Sequence, residues 1–208
     1  MKLKICGMTE QENTRSICEL QPDFLGFIFW KDSKRYCEQV LNNIPDSIQK
    51  VGVFVDAGYH EIVDKIIAHQ LDFVQLHGHE PVDFCLELQK NKIKVIKAIS
   101  IDNDFNFNEL KKYENCIDYF LFDTKGKLPG GNGTLFNWDI LNRYEEDIPF
   151  FLSGGIGLEE WPKLEKFLPS KAAEHCVALD LNSRFEDRPG LKNKQKIKEF
   201  QDKINQLP

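Results

Sequence analysis

The sequence predicts an α/β protein whose eight parallel strands close into a (β/α)8 barrel, the TIM-barrel architecture. Three observations carry that expectation. Short apolar runs rich in β-branched and aromatic residues recur along the chain. The stretches between most of them place apolar residues three or four apart, and no dinucleotide-type glycine fingerprint follows the first run.

Strand one spans Leu3 to Cys6 and leads into helical spacing from Glu10 to Leu20. Strand two, Phe24 to Phe29, is followed by a stretch whose helical pattern is weak. Strand three, Val51 to Val55, precedes a helix over Tyr59 to His69, and strand four, Phe73 to Leu76, precedes one over Val82 to Lys90. After strand five, Val95 to Ile99, the polar, Asn-rich segment Asn103 to Asn108 predicts a short or irregular fifth helix. Strand six, Tyr119 to Phe122, comes before helical spacing from Leu135 to Tyr144. Strand seven, Phe150 to Leu152, precedes Glu159 to Phe167, and strand eight, Val177 to Leu179, precedes Leu191 to Asn205.

Parallel strands buried on both faces need crossovers, and eight such units in 208 residues close a barrel with little loop to spare. An open doubly wound sheet is the competing architecture. It would carry Gly-x-Gly-x-x-Gly after strand one, where the chain reads Cys6-Gly7-Met8-Thr9-Glu10. At this length, residues 1–208 are expected to form one domain.

Composition narrows the function classes. Acidic residues outnumber basic ones by 33 to 27, for a formal charge of −6, and the cations are scattered, which disfavours nucleic acid as a partner. The lysine-rich tail from Lys192 to Lys203 alternates with Ile197, Phe200 and Ile204, and reads as the solvated face of a terminal helix. No apolar stretch approaches the roughly 18 residues of a membrane span, so a soluble, cytoplasmic protein without a membrane partner is expected. Cys6, Cys18, Cys37, Cys85, Cys116 and Cys176 are dispersed with no Cys-x-x-Cys pair, which fits reduced thiols.

In a barrel, function belongs at the C-terminal strand ends, and reactive residues fall there: Cys6, Arg35, Asp56, His77, Asp123 and Asp180. Lys4 lies two residues before Cys6, so both side chains share one face, and an ammonium beneath the thiol would favour thiolate. A buried cysteine acting as a small hydrophobe is the alternative. Asp123 ends an apolar strand; desolvation there can keep a carboxyl neutral as a proton donor, or the side chain can cap the segment that begins at Thr124. Two glycine-rich turns, one containing Gly130, Gly131 and Gly133 and the other Gly154 and Gly155, let backbone N–H groups approach an anion and favour a phosphorylated small molecule. His77 and His79 could instead form a metal pair with Asp123 or Asp180, giving a metal-dependent barrel hydrolase, although no third strand-end histidine supports it.

These blocks, in this order, resemble the phosphoribosylanthranilate isomerase family over nearly the whole chain. The resemblance rests on Lys4-Ile5-Cys6-Gly7-Met8-Thr9, Gly26-Phe27-Ile28-Phe29, Ser33-Lys34-Arg35-Tyr36 and Val51-Gly52-Val53-Phe54-Val55. It continues through Val74-Gln75-Leu76-His77-Gly78, Phe122-Asp123-Thr124, Gly130-Gly131-Asn132-Gly133, Leu152-Ser153-Gly154-Gly155-Ile156 and, with changes, Ala178-Leu179-Asp180-Leu181-Asn182-Ser183. It implies a cofactor-free Amadori rearrangement of N-(5'-phosphoribosyl)anthranilate in tryptophan biosynthesis. Cys6 would be the general base, Asp123 the general acid, and Arg35 the partner of the anthranilate carboxylate. Phosphate would rest on Gly154 and Gly155 and the backbone near Asn182 and Ser183, Gly130 to Gly133 would help close the site, and Asp180 would position substrate hydroxyls. One departure is Arg184, where many relatives carry glycine; a conventional turn, or help from its side chain to the phosphate, would accommodate it. A non-catalytic phosphate-binding barrel is the reading from another class. Monomer and homodimer are both compatible with the sequence.

Overall fold

Eight parallel strands form a closed barrel in the computed structural model, which describes residues 1–124 and 137–207. In chain order they are β1 (Lys2–Cys6), β2 (Phe24–Ile28), β3 (Gln49–Phe54), β4 (Phe73–Leu76), β5 (Val95–Ile101), β6 (Tyr119–Thr124), β7 (Phe150–Leu152) and β8 (Cys176–Leu181). Each pairs with the next, and β8 returns to β1 with Lys4 opposite Asp180 and Ile5 opposite Leu181. The helices α1 (Gln11–Cys18), α2 (Tyr59–His69), α3 (Val82–Lys90), α4 (Trp161–Phe167) and α5 (Lys194–Asn205) are the connections that reach a full α conformation among the described residues.

The barrel interior changes character along its axis, and the two-residue period of a strand explains how. Phe24, Val51, Phe73, Ile96, Leu121, Phe151 and Ala178 form an apolar plug, with the Phe24 ring centroid 5.0 Å from that of Phe151. Two residues further along, the same inward-facing rows carry Gln75 after Phe73, Asp123 after Leu121, Ser153 after Phe151 and Asp180 after Ala178. The plug closes one end and leaves a polar mouth at the other.

Outside the barrel, aromatic rings take the place of two helices. The fifth crossover is a 3₁₀ helix, Phe107–Tyr113, in keeping with the short or irregular element expected there. The α-helix expected over Leu135 to Tyr144 is instead a 3₁₀ helix, Trp138–Arg143, in its described part. Its start explains this: the Asn137 side chain accepts the Asp139 N–H two residues on, closing a tight turn, and Tyr144 is already extended. Phe107, Tyr113 and Tyr144 then pack edge-on against Phe120 and Phe122 of β6 and cover the barrel wall.

The chain's end also departs from expectation. A helix over Leu191 to Asn205 begins only at Lys194, where the Asn193 side chain caps it by accepting the Lys196 N–H at 2.9 Å. Leu191 and Lys192 form a short strand, β10, antiparallel to β9 (Glu186–Arg188). Lys192 is therefore buried rather than on the solvated helix face assigned to it. Among the described residues, no helix is long and apolar enough to cross a membrane.

The loops after β3 and β4 are held from beneath by an ion pair. Lys97 projects from β5 away from the barrel axis and donates to Glu80 at 2.7 Å and to the Gly78 carbonyl at 2.8 Å. Glu80 in turn accepts the backbone N–H groups of Asp56 and Gly78. Both side chains are 3% exposed, so removing one strands the other's charge in the interior. Lys97→Met is predicted to cost about 3–5 kcal/mol in urea denaturation. A loss below about 1 kcal/mol, the range of exposed pairs, would show that the pair does not hold these loops.

Candidate active site

The polar mouth encloses a cavity of about 480 Å³. Cys6, Arg35, His77, Asp123, Asp180 and Asn182 all face it, together with the Gly154–Gly155 turn and Ser183. The strand-end rule thus brings together residues from six strands or the loops that follow them, whereas Asp56, picked out by the same rule, lies outside the cavity. Gly130, Gly131 and Gly133 lie outside the described residues.

Cys6 is the last residue of β1 and pairs in register with Gly26 of β2. A Cβ at residue 26 would stand 2.7 Å from the thiol sulfur, so glycine is what leaves room for it. The thiol is 3% exposed, and burial pushes its pKa up; Lys4 and Lys192 pull it down, while Asp180 opposes them. The net direction is upward, which corrects the expectation that Lys4 alone would favour thiolate. The main reason is burial, which outweighs the pull of both lysines; in addition the Lys4 ammonium is shared with Asp180, to which it donates at 2.8 Å. Burial works to lower the pKa of Lys4, but the Asp180 carboxylate and Cys6 outweigh it and raise it. Asp180 also accepts from the Ser153 hydroxyl at 3.3 Å, so both its oxygens are engaged.

Asp123 sits across the mouth on β6. Its Oδ1 accepts the Thr124 N–H at 2.9 Å, and its Oδ2 lies 3.5 Å from His77 Nε2, too long and poorly aligned for a hydrogen bond. On the ring's other side, Gln75 Nε2 stands 3.2 Å from His77 Nδ1. With the amide in that orientation its nitrogen only donates, so Nδ1 accepts and a neutral ring carries its proton on Nε2, toward Asp123.

The residues expected to bind anions lie on the neighbouring rim. Gly154 and Gly155 have φ values of +90° and +70°, and a Cβ at 154 would come 2.7 Å from the Thr124 nitrogen. Only glycine follows this path, which bares the turn's backbone to the cavity. Ser183 opens a 3₁₀ turn, Ser183–Phe185, in which Arg184 does not take a positive φ, so the turn is the conventional one. Arg35 reaches the cavity from the helix-free connection between β2 and β3 and forms a two-pronged ion pair with Glu186, 2.8 Å from each of Nε and Nη2.

Glu186, Lys192 and Gln75 were not singled out by sequence reasoning. Gln75 was legible in principle, because it precedes His77 by the strand period. Glu186 and Lys192 were not, since only the β9–β10 hairpin brings them to the mouth.

The two histidines proposed as a metal pair diverge. His77 faces the cavity, whereas the His79 side chain is 98% exposed and lies beside Asp56 on the outer surface. Among the described residues, no group of three or more His, Cys, Asp or Glu side chains could hold a metal ion.

Comparison with known proteins agrees with the geometry. The family model described as N-(5'-phosphoribosyl)anthranilate (PRA) isomerase matches residues 3–203. The N-(5'-phosphoribosyl)anthranilate isomerase of Parabacteroides distasonis is 40% identical over 206 residues, covering 96% of this chain and 91% of its own. The crystal structure of phosphoribosyl anthranilate isomerase from Thermotoga maritima superposes with a TM-score of 0.82 at 30% identity over the full length of both chains. A further phosphoribosyl anthranilate isomerase, solved in complex with reduced 1-(o-carboxyphenylamino)-1-deoxyribulose 5-phosphate, covers both chains fully at 28% identity and a TM-score of 0.76. The chain belongs to the N-(5'-phosphoribosyl)anthranilate isomerase family.

Proposed function

We propose that this protein converts N-(5'-phosphoribosyl)anthranilate to 1-(2-carboxyphenylamino)-1-deoxyribulose 5-phosphate, the isomerase step of tryptophan biosynthesis. The observation that carries the reading is a thiol and a carboxyl, Cys6 and Asp123, on one cavity that also presents a guanidinium and a glycine turn. The substrate has a group for each. Its carboxylate suits the planar fork of Arg35, and its phosphate suits the backbone of Gly154 and Gly155 with the turn at Asn182 and Ser183. A solved relative holds a reduced product of this class, bearing both anions.

The chemistry needs one acid and one base. Asp123 donates a proton to the ribose ring oxygen, the C1'–O bond breaks, and the nitrogen lone pair forms the C1'=N iminium. The Cys6 thiolate removes the C2' proton; the C2'–H electrons form C1'=C2', and the iminium pair returns to nitrogen. The resulting enolamine gains a proton at C1' and loses one from the C2' hydroxyl, giving the ketone. Atoms and charge balance without an external oxidant or reductant. Ser153 and Lys4 hold Asp180 beneath the base, so Asp180 acts through the field at the thiol as well as on the sugar hydroxyls nearby.

The direct test is loss of substrate fluorescence with the purified protein and its variants. Cys6→Ala and Asp123→Asn are each predicted to reduce kcat by ~100- to 10,000-fold, the contribution of a positioned base or acid. Near-normal turnover in either variant refutes the assigned role, and a phosphate-binding protein without catalysis would show no turnover even as wild type.

The pH profile supplies a second check. Because burial raises the thiol pKa, the rate of Cys6 alkylation by iodoacetamide, followed by mass spectrometry of its peptide, is predicted to climb with pH, with an apparent pKa above the ordinary thiol value of about 8.5. Asp180→Asn removes a negative charge that opposes thiolate, so the rising limb should shift to lower pH. A limb that stays put or moves up would show that Asp180 does not act on the base.

A further inference from the structure

Glu186 and Lys192 take no part in the proton transfers derived above, yet both are buried against residues that line the same cavity, Arg35 and Asn182. Their side chains are 4% and 0% exposed. They face one another across the β9–β10 hairpin, and Lys192 donates to Glu186 at 2.6 Å and to the Asn182 side-chain oxygen at 2.7 Å. Glu186 also accepts the Gly190 N–H at 3.2 Å and the two prongs of Arg35. Two buried charges with this many partners at one cavity rim are costly to assemble and have a defined geometry.

That geometry restricts Arg35. A guanidinium is planar and offers a carboxylate either its side edge, Nε with Nη2, or its end edge, Nη1 with Nη2. Glu186 occupies the side edge, and two-point attachment fixes the plane of the group. The end edge is left for a ligand, and Arg35 lines the cavity. The stem is confined as well, since Arg35 Cδ lies 2.8 Å from where a Cβ on residue 7 would be. A long, flexible side chain is thereby ordered before any ligand arrives, which removes an entropic cost from binding.

We infer that Glu186 is a positioning residue that aims the end edge of Arg35 at a ligand carboxylate, and that Lys192 locks it at a fixed distance from the phosphate-side turn through Asn182. The pair sets the spacing between two anion contacts. It selects small molecules carrying a carboxylate and a phosphate at that separation, a requirement that rests on the isomerase reading for its natural substrate. The opposite role, in which Glu186 competes with the ligand for Arg35, predicts the opposite sign on its removal.

Two probes separate these roles: the reduced product, 1-(2-carboxyphenylamino)-1-deoxyribitol 5-phosphate, and the same molecule with phenyl in place of carboxyphenyl. Their Kd values are measured by isothermal titration calorimetry on wild type, Glu186→Gln, Arg35→Ala and the double variant. Glu186→Gln is expected to weaken the carboxylated probe by about tenfold or more, in line with one charged hydrogen bond, and the carboxylate-free probe by about twofold or less. In the double variant its effect should vanish, because it acts through Arg35. Equal weakening of both probes, no weakening, tighter binding of the carboxylated probe, or full additivity overturns the inference. If Gln at 186 prevents folding, Glu186→Asp, which keeps the charge beside Lys192 but shortens the reach to Arg35, is read in the same way. Turnover assayed separately distinguishes the two failures, since a wild type that binds the probes but does not isomerise refutes the isomerase reading and leaves the positioning role standing.

Discussion

Closure of β8 onto β1 is the constraint from which the mouth of this barrel follows. It brings Lys4 opposite Asp180, residues separated by nearly the whole chain, and sets Cys6 one inward position above them. Parallel strands impose the rest: once the apolar plug fixes which residues point inward, the next inward position on each strand must reach the cavity. An odd-residue slip at the β1–β8 seam would point Cys6 at the helices, leaving Lys4 and Asp180 as unpaired charges. The cost of stranding them makes the register specific.

The same rule about buried charge organises the cations of the barrel and of the loops that support its mouth. Lys4 is held by Asp180, Lys192 and Arg35 by Glu186, and Lys97 by Glu80. Each pair is closed by further hydrogen bonds, as low-dielectric surroundings demand. The consequence for Cys6 is a balance. Desolvation raises its pKa, two lysines lower it, and the partner carboxylate of one of them partly cancels the gain. A thiol tuned this way ionises less readily than a free one, and the field of its neighbours decides how readily. Arg35, by contrast, keeps one edge open because Glu186 takes only the other.

Much of this architecture was legible in the residues. The eight strands stand out because burial on both faces makes them continuous apolar runs, and the strand-end rule then gathers Cys6, Arg35, His77, Asp123 and Asp180 without any knowledge of their partners. Local pattern failed where tertiary packing overrides it. Trp138–Arg143 has helical spacing but is wound as 3₁₀ by an Asn137 turn, with Trp138 packed against the Phe167 ring from a distant segment. Lys192 reads as one more lysine of a basic tail, and only a two-residue strand, a glutamate six positions earlier and an asparagine ten positions earlier make its burial tolerable. The direction of the Cys6 shift was hidden for a related reason: the sequence places Lys4 beside it, but shows neither how deeply the closed barrel buries the thiol nor that Asp180 lies beneath both.

The most direct measurement is a crystal structure of the protein with 1-(2-carboxyphenylamino)-1-deoxyribulose 5-phosphate bound. The phosphate should rest on the backbone of Gly154 and Gly155, the carboxylate on the end edge of Arg35, and the sugar carbons between the Cys6 sulfur and the Asp123 carboxyl. Product bound with C2' away from Cys6, or with its phosphate outside the glycine turn, would contradict the arrangement on which the catalytic assignment stands.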